Sequence, residues 1–350
     1  WYKGELLSGD QAMKKAGIPR LKLIFKEGNS MINGTAFMTA AGCLAIDKCE
    51  KLVEHAEIAA AMSLEAFTAI SSAFHPDLHA ASNQKGQINT AARLRALLKG
   101  SQLMDASPRV QDAYSIRCIP QIIGPVKDTI AFARKYIENT LNASIDNPLV
   151  FPSEKGFHSV SGGNFHGEGL AFMMDFLSIA ISEVANVSDR RSFALLTPEL
   201  NNGLPSMLIP SNGINTGLMV AQYSGASLVS DNKTLAHPDS VDSIPTSANQ
   251  EDHVSMGANG ARHLLEIINN VTYVVAIEFL CAAQAIDFRE NGKNRLGIGT
   301  AAAYPLIREK VHMYQNDHEM SPDIETLVKL INSETIIHQV NQALQTGENQ

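Results

Sequence analysis

Apolar residues recur three and four apart over most of the chain, and that spacing predicts helices. Over residues 35–73 the row runs Phe37, Ala41, Leu44, Ala45, Leu52, Val53, Ala56, the stripe a 3.6-residue period lays along one face. His75-Pro76 ends it, because proline has no N–H to continue the ladder. Further helices are expected over 90–98, over 109–119 with Pro120 stopping or kinking it, and over 126–141. A turn-rich stretch, 142–169, carries Pro148, Pro152 and five glycines. Periodicity returns over 170–193 through Phe172, Phe176, Ile179 and Val187. After a loop over 198–213, helices are expected over 218–234, 254–288, 304–314 and 323–344. Extended signals are confined to about 21–25 and 150–151. Proline and glycine fall between helices, and no repeat or low-complexity segment occurs. The pattern predicts one all-α domain over 1–350, a long helical bundle whose longest helices exceed the average of about 11–12 residues.

Composition sharpens this picture. Charged residues make up 18% of the chain, against about 25% in a typical soluble domain. So little charge on so many helices predicts a surface partly covered by other subunits. The formal net charge is −8 and no basic patch stands out, which argues against nucleic-acid and anionic-lipid partners. Cys43, Cys49, Cys118 and Cys281 are scattered without a CxxC, as expected of reduced thiols in a cytoplasmic protein. The most apolar run, 271–286, is short against the roughly 20 residues of a membrane span and contains Glu278 and Gln284, so it reads as a core helix. The chain begins with Trp1 instead of Met, and is expected to be a piece of a longer one.

Phosphate-loop, zinc-protease, EF-hand and GxSxG motifs are absent, and the glycines of "SGGNFHGEGL" do not fit GxGxxG. Four polar constellations remain. In "QDAYSIRCIPQ", Gln111, Tyr114 and Arg117 are three apart, a staggered row on one side of a helix. Together they offer a guanidinium that binds carboxylate bidentately, a phenol and an amide; an exposed amphipathic face would look the same. In "MINGTAFMTA", Asn33-Gly34 signals a turn and Thr35 a helix N-cap, with the Asn33 amide free to face a ligand. "GGNFHGEG" sets Phe165 and His166 among glycines that permit close backbone approach, or serves as a loop with an aromatic anchor. In "SANQEDHVSMG", Ser247 with Gln250, or Asn249 with Asp252, fits a capping box. Glu251 in a buried setting would have a raised pKa and serve as a base or as partner to a cationic ring.

The sequence resembles the aromatic amino-acid ammonia-lyase family along nearly its whole length. The resemblance rests on "KEGNSMINGTAFMTA", "QDAYSIRCIPQIIGP", "DNPLVF", "GGNFHGE" and "ASLVSDNKTLAHPDSVDSIPTSANQEDHVSMG", the last pointing to the histidine-specific branch. It implies a helical homotetramer that eliminates ammonia from L-histidine to give trans-urocanate, without metal or nucleotide. Its electrophile is a methylidene-imidazolone formed from the enzyme's own Ala-Ser-Gly. Arg117 would then bind the substrate carboxylate. Tyr114 and Asn33 would line the site beside cofactor and amine, with Gln111 helping to position them. Phe165 would pack near the electrophile. Glu251 would face the imidazole or act near the departing proton, while Asp252 and His253 set the helix start. No Ala-Ser-Gly occurs in this sequence; the resemblance places it upstream of "WYKGE", on an N-terminal half or partner chain. A lyase or aminomutase for another aromatic amino acid or a histidine derivative, and a non-catalytic structural subunit, are the alternatives.

Overall fold

The structure, a computed structural model, describes residues 1–106, 109–210 and 213–348. The chain divides into two compact units although no linker marks their boundaries. One comprises Trp1–Ala36 with Ser144–His166, the other Phe37–Ala143 with Gly167–Gln350.

The smaller unit holds two short helices and a hairpin. Helix α1 (Gly9–Ala16) is bounded by a complete capping box, Ser8 with Gln11, and by left-handed Gly17 at its end, so both ends have their orphan backbone groups satisfied locally. Helix α2 spans Glu27–Ser30. Strands β1 (Leu149–Ser153) and β2 (Gly156–Val160) pair antiparallel, Leu149 opposite Val160 and Ser153 opposite Gly156. The hairpin lies inside the stretch expected to be turns. Residues 21–25, where extended backbone was expected, form no strand.

The larger unit is all-α. Its helices are α3 (Ala36–Ala66), α4 (Pro76–Ala80), α5 (Lys85–Leu97), α6 (Tyr114–Arg117), α7 (Ile119–Leu141), α8 (Glu168–Leu196) and α9 (Met219–Leu235). There follow α10 (Gly257–Asp287), α11 (Ile298–Lys310), α12 (Ser321–Asn332) and α13 (Thr335–Glu348). Helices α3, α8 and α10 have 29 to 31 residues, as the pattern predicts. Helix α8 packs on α7, α9 and α10, and α10 packs also on α12. Both α8 and α10 are long and apolar enough to cross a membrane, yet most of each is buried inside the unit. Residues 55–66 of α3 are buried all round, which marks a helix surrounded by others.

Several boundaries differ from the sequence expectation for local reasons. Pro120 does not stop a helix; it occupies the first turn of α7, where its missing N–H would be unpaired anyway. Pro125 lies inside α7 and Pro305 inside α11, so proline does not fall only between helices. The stretch 323–344 contains two helices, broken at Glu334 with φ 59°. Helices α5 and α7 approach at glycines: a Cβ on Gly86 would meet the Gly124 carbonyl oxygen at 2.1 Å, inside any van der Waals contact. The end of α3 is closed from a distance. Arg289 Nε and Nη2 donate to the Ala66 carbonyl at 2.8 and 2.6 Å, placing a cation at a helix C-terminus where the dipole favours it.

Candidate active site

The residues singled out above fall in both units. Asn33 and Phe165 belong to the smaller unit; Gln111, Tyr114, Arg117 and Glu251 belong to the larger.

In the smaller unit Asn33 ends a turn and Thr35 immediately precedes α3. Gly34 is required between them: its φ is +97°, and a Cβ there would meet the Ile145 carbonyl oxygen at 2.7 Å. The Asn33 amide donates from Nδ2 to Asp146 Oδ1 at 3.0 Å. Asp146 also accepts from Lys26 Nζ, from Ser30 Oγ at 2.9 Å and from the Asn147 backbone at 2.7 Å. These bonds, Lys26 first and Asn33 second, hold the Asp146 carboxyl well below the usual carboxylate range. Asp146, which spacing arguments did not single out although it opens the "DNPLVF" motif, is the anchor of the Asn33 amide. Asn147 Oδ1 accepts from Ser161 Oγ at 3.1 Å and the Gly162 backbone at 2.8 Å, and Asn164 Nδ2 donates to the Ser144 carbonyl at 3.2 Å. The loop is thereby fastened ahead of half-buried Phe165.

In the larger unit Tyr114 and Arg117 share one turn, α6. The Arg117 guanidinium lies 4.9 Å from the centroid of the Tyr114 ring, within cation–π range. Tyr114 is 71% exposed. The Arg117 Nε is buried and has no hydrogen-bond partner among the described residues. A buried orphan donor on a cation is costly, and a carboxylate ligand would satisfy it. Gln111 does not complete a helical row. Residues 109–113 are not helical and Gln111 is exposed there. Beside it Asp112, buried, accepts from the Ile70 backbone at 2.8 Å and pairs with Arg109 at 3.0 Å. These contacts tie the non-helical segment just ahead of Tyr114 to residue 70.

Glu251 is not buried. Thr246 Oγ1 donates to its Oε2 at 2.6 Å, and this bond, with one from the Ser247 hydroxyl, holds its carboxyl below the ordinary glutamate value. The raised pKa expected of a buried Glu251 therefore does not arise. It stands as an ionised acceptor near neutral pH. Neither capping box forms. Ser247, Ala248 and Asn249 all take positive φ, at 50°, 53° and 69°, a cost of about 1–3 kcal/mol per strained residue. Helix α10 starts only at Gly257 with no side-chain cap, so Asp252 and His253 do not set it.

A cavity of about 710 Å³ lies elsewhere in the larger unit, among Glu50, Glu57, Arg93, Lys127 and Arg134. None of Asn33, Gln111, Tyr114, Arg117, Phe165 and Glu251 lines it, and its charges pair with one another, as Lys127 with Glu57 at 2.7 Å.

The fold and these motifs define a class. Residues 1–309 match the family model described as aromatic amino acid lyase, and the chain belongs to that family. Within it the chain is similar to proteins named histidine ammonia-lyase and to aminomutases. The chain is 48% identical over 345 residues to histidine ammonia-lyase 2 of Fusobacterium nucleatum, covering 98% of this chain and 67% of that one. The crystal structure of histidine ammonia-lyase from Trypanosoma cruzi superposes with a TM-score of 0.88 at 39% identity, over 95% of this chain and 63% of that one. Tyrosine aminomutase from Streptomyces globisporus gives 0.92 at 33% identity, over 97% and 68%. The chain thus spans about two thirds of the length of the proteins it matches.

Proposed function

We propose that this chain works in the non-oxidative elimination of ammonia from L-histidine to trans-urocanate, together with an N-terminal portion that carries the electrophile. The observation that carries this reading is the Tyr114–Arg117 turn, with its buried, unpartnered guanidinium nitrogen beside an exposed phenol. Arg117 holds the substrate carboxylate, and the charge-assisted bond fixes the amino acid's orientation. Tyr114 and Asn33 line the reacting end. Gln111 assists from the loop before α6, and Phe165 supplies an apolar contact. Glu251, ionised, accepts from the substrate imidazole or takes the departing proton. Asn33 spends one N–H on Asp146, and its second N–H and carbonyl oxygen suit it to a polar ring such as a methylidene-imidazolone. When bound, that group withdraws electrons from the substrate and eases loss of the amine. The complete assembly is a cytoplasmic homotetramer in this reading.

A second reading, aminomutase or lyase action on another aromatic amino acid, is favoured by the likeness to the tyrosine aminomutase. The two are separated by incubating the complete enzyme with histidine, phenylalanine and tyrosine in turn. Ultraviolet absorbance reports urocanate, and chromatography detects any β-amino acid. Urocanate from histidine alone supports the first reading. A β-amino acid product overturns it, and no product from any substrate favours a structural subunit.

A further inference from the structure

We infer that Arg191 and Glu278, buried in the core of the larger unit, are positioning residues for the turn that bears Tyr114 and Arg117. Both side chains are essentially inaccessible, at 1% and 0% exposure. Glu278 of α10 accepts from Arg191 Nε and, at 2.7 Å, from Nη2 of the same fork on α8. Its two oxygens also accept from Ser63 of α3 at 2.8 Å and from Ser188 of α8 at 2.6 Å. The carboxylate is saturated by four donors from two helices, α3 and α8, and the guanidinium is thereby locked in one orientation. Its remaining nitrogen, Nη1, reaches out of the core to the Ser115 carbonyl at 3.3 Å. Ser115 is the residue after Tyr114 and two before Arg117.

A buried ion pair is a poor stabiliser compared with well-packed apolar residues of the same volume. What apolar residues lack is a donor aimed at a backbone carbonyl of α6. That turn is a single four-residue turn and has too few internal bonds to hold itself. The guanidinium therefore supplies the fixed point from which Tyr114 and Arg117 are aimed.

The test uses the full chain in its complete enzyme, with Arg191→Lys and, separately, the double replacement Arg191→Met with Glu278→Met. The first keeps a charge for Glu278 but loses the fork; the second leaves no uncompensated charge. Hydrogen exchange of residues 113–118 and steady-state kinetics are both measured. Loss of one charge-assisted bond should speed exchange of that segment about tenfold or more, in both variants, with melting little changed in the double one. KM for histidine should rise more than kcat falls. The kinetic arm rests on the function proposed above; the exchange arm does not. Faster exchange in the variants, alongside a wild-type enzyme that makes no urocanate, would sink the proposed function and leave the positioning role standing. Wild-type exchange at 113–118 in either folded variant overturns the inference, and so does failure of both variants to fold, which would make the pair a requirement of the core alone.

Discussion

Arg117→Ala removes the guanidinium whose Nε is buried without a partner. In the complete enzyme kcat/KM for histidine should fall about 10- to 100-fold, the worth of one charge-assisted hydrogen bond. Assembly should survive, since among the described residues no other group is hydrogen-bonded to Arg117 Nε. Unchanged kcat/KM would remove Arg117 from carboxylate binding. Glu251→Gln is expected to lower turnover of histidine with the melting temperature unaltered, because Glu251 is exposed and bonded only locally, to Thr246 and Ser247. A large loss of stability with intact turnover would mean that the strained 247–249 turn, not the chemistry, needs the acid. Both residues were legible as candidates because charged and aromatic side chains stand out at fixed spacings. Their surroundings were not: the low pKa of Glu251 depends on Thr246 Oγ1, and the loop around Gln111 depends on Ile70, 42 residues from its anchor Asp112.

Glu65 joins two elements across the core. It is fully buried on α3, and its Oε1 accepts from the Gly297 backbone, ahead of α11, at 2.7 Å. Burial pushes its carboxyl from the ordinary 4.5 up to about 7, against lowering by the Ser101 and Thr300 hydroxyls and the Gly297 N–H. A raised carboxyl pKa means the folded state binds the proton more tightly than the unfolded chain. Its contribution is complete below about 4.5 and disappears as pH rises through about 7, on the order of 3 kcal/mol in all. Thermal melts from pH 5 to 8 should therefore slope downward, and Glu65→Gln should flatten that slope by staying neutral throughout. Parallel curves for the two proteins would show that Glu65 does not titrate in this window. At this scale the long helices were readable from sequence, since a 3.6-residue stripe sustained over 30 residues has no rival pattern. The α12–α13 break was not, and of the β1–β2 hairpin only the extended signal at 150–151, inside β1, was. Each depends on a local backbone choice, such as the left-handed Glu334, that periodicity does not register.

Over the larger unit as a whole, the low charge content leaves an apolar face on α7 and α8. Phe132, Phe172, Phe176 and Ile179 are 41 to 57% exposed, and Phe172 stacks on Phe176 at 6.1 Å. A patch of this kind is the mark of an interface, and a second copy of the chain is the occupant expected of a homo-oligomer. Phe176→Asp should lower the particle mass measured by light scattering while leaving the far-ultraviolet circular dichroism of the helices intact. An unchanged mass would place the subunit contacts elsewhere. By itself the sequence determined that the protein is helical, which helices are longest, and which family of lyases its motifs match, because periodicity and motif order are properties of neighbours along the chain. Only the tertiary structure decided that Glu251 stays ionised at the surface, that Asp146 anchors Asn33, and that Arg191, held by Glu278, reaches Ser115 from the core. Those outcomes depend on donors, acceptors and burial contributed by residues tens to hundreds of positions apart, and chain spacing carries no record of them.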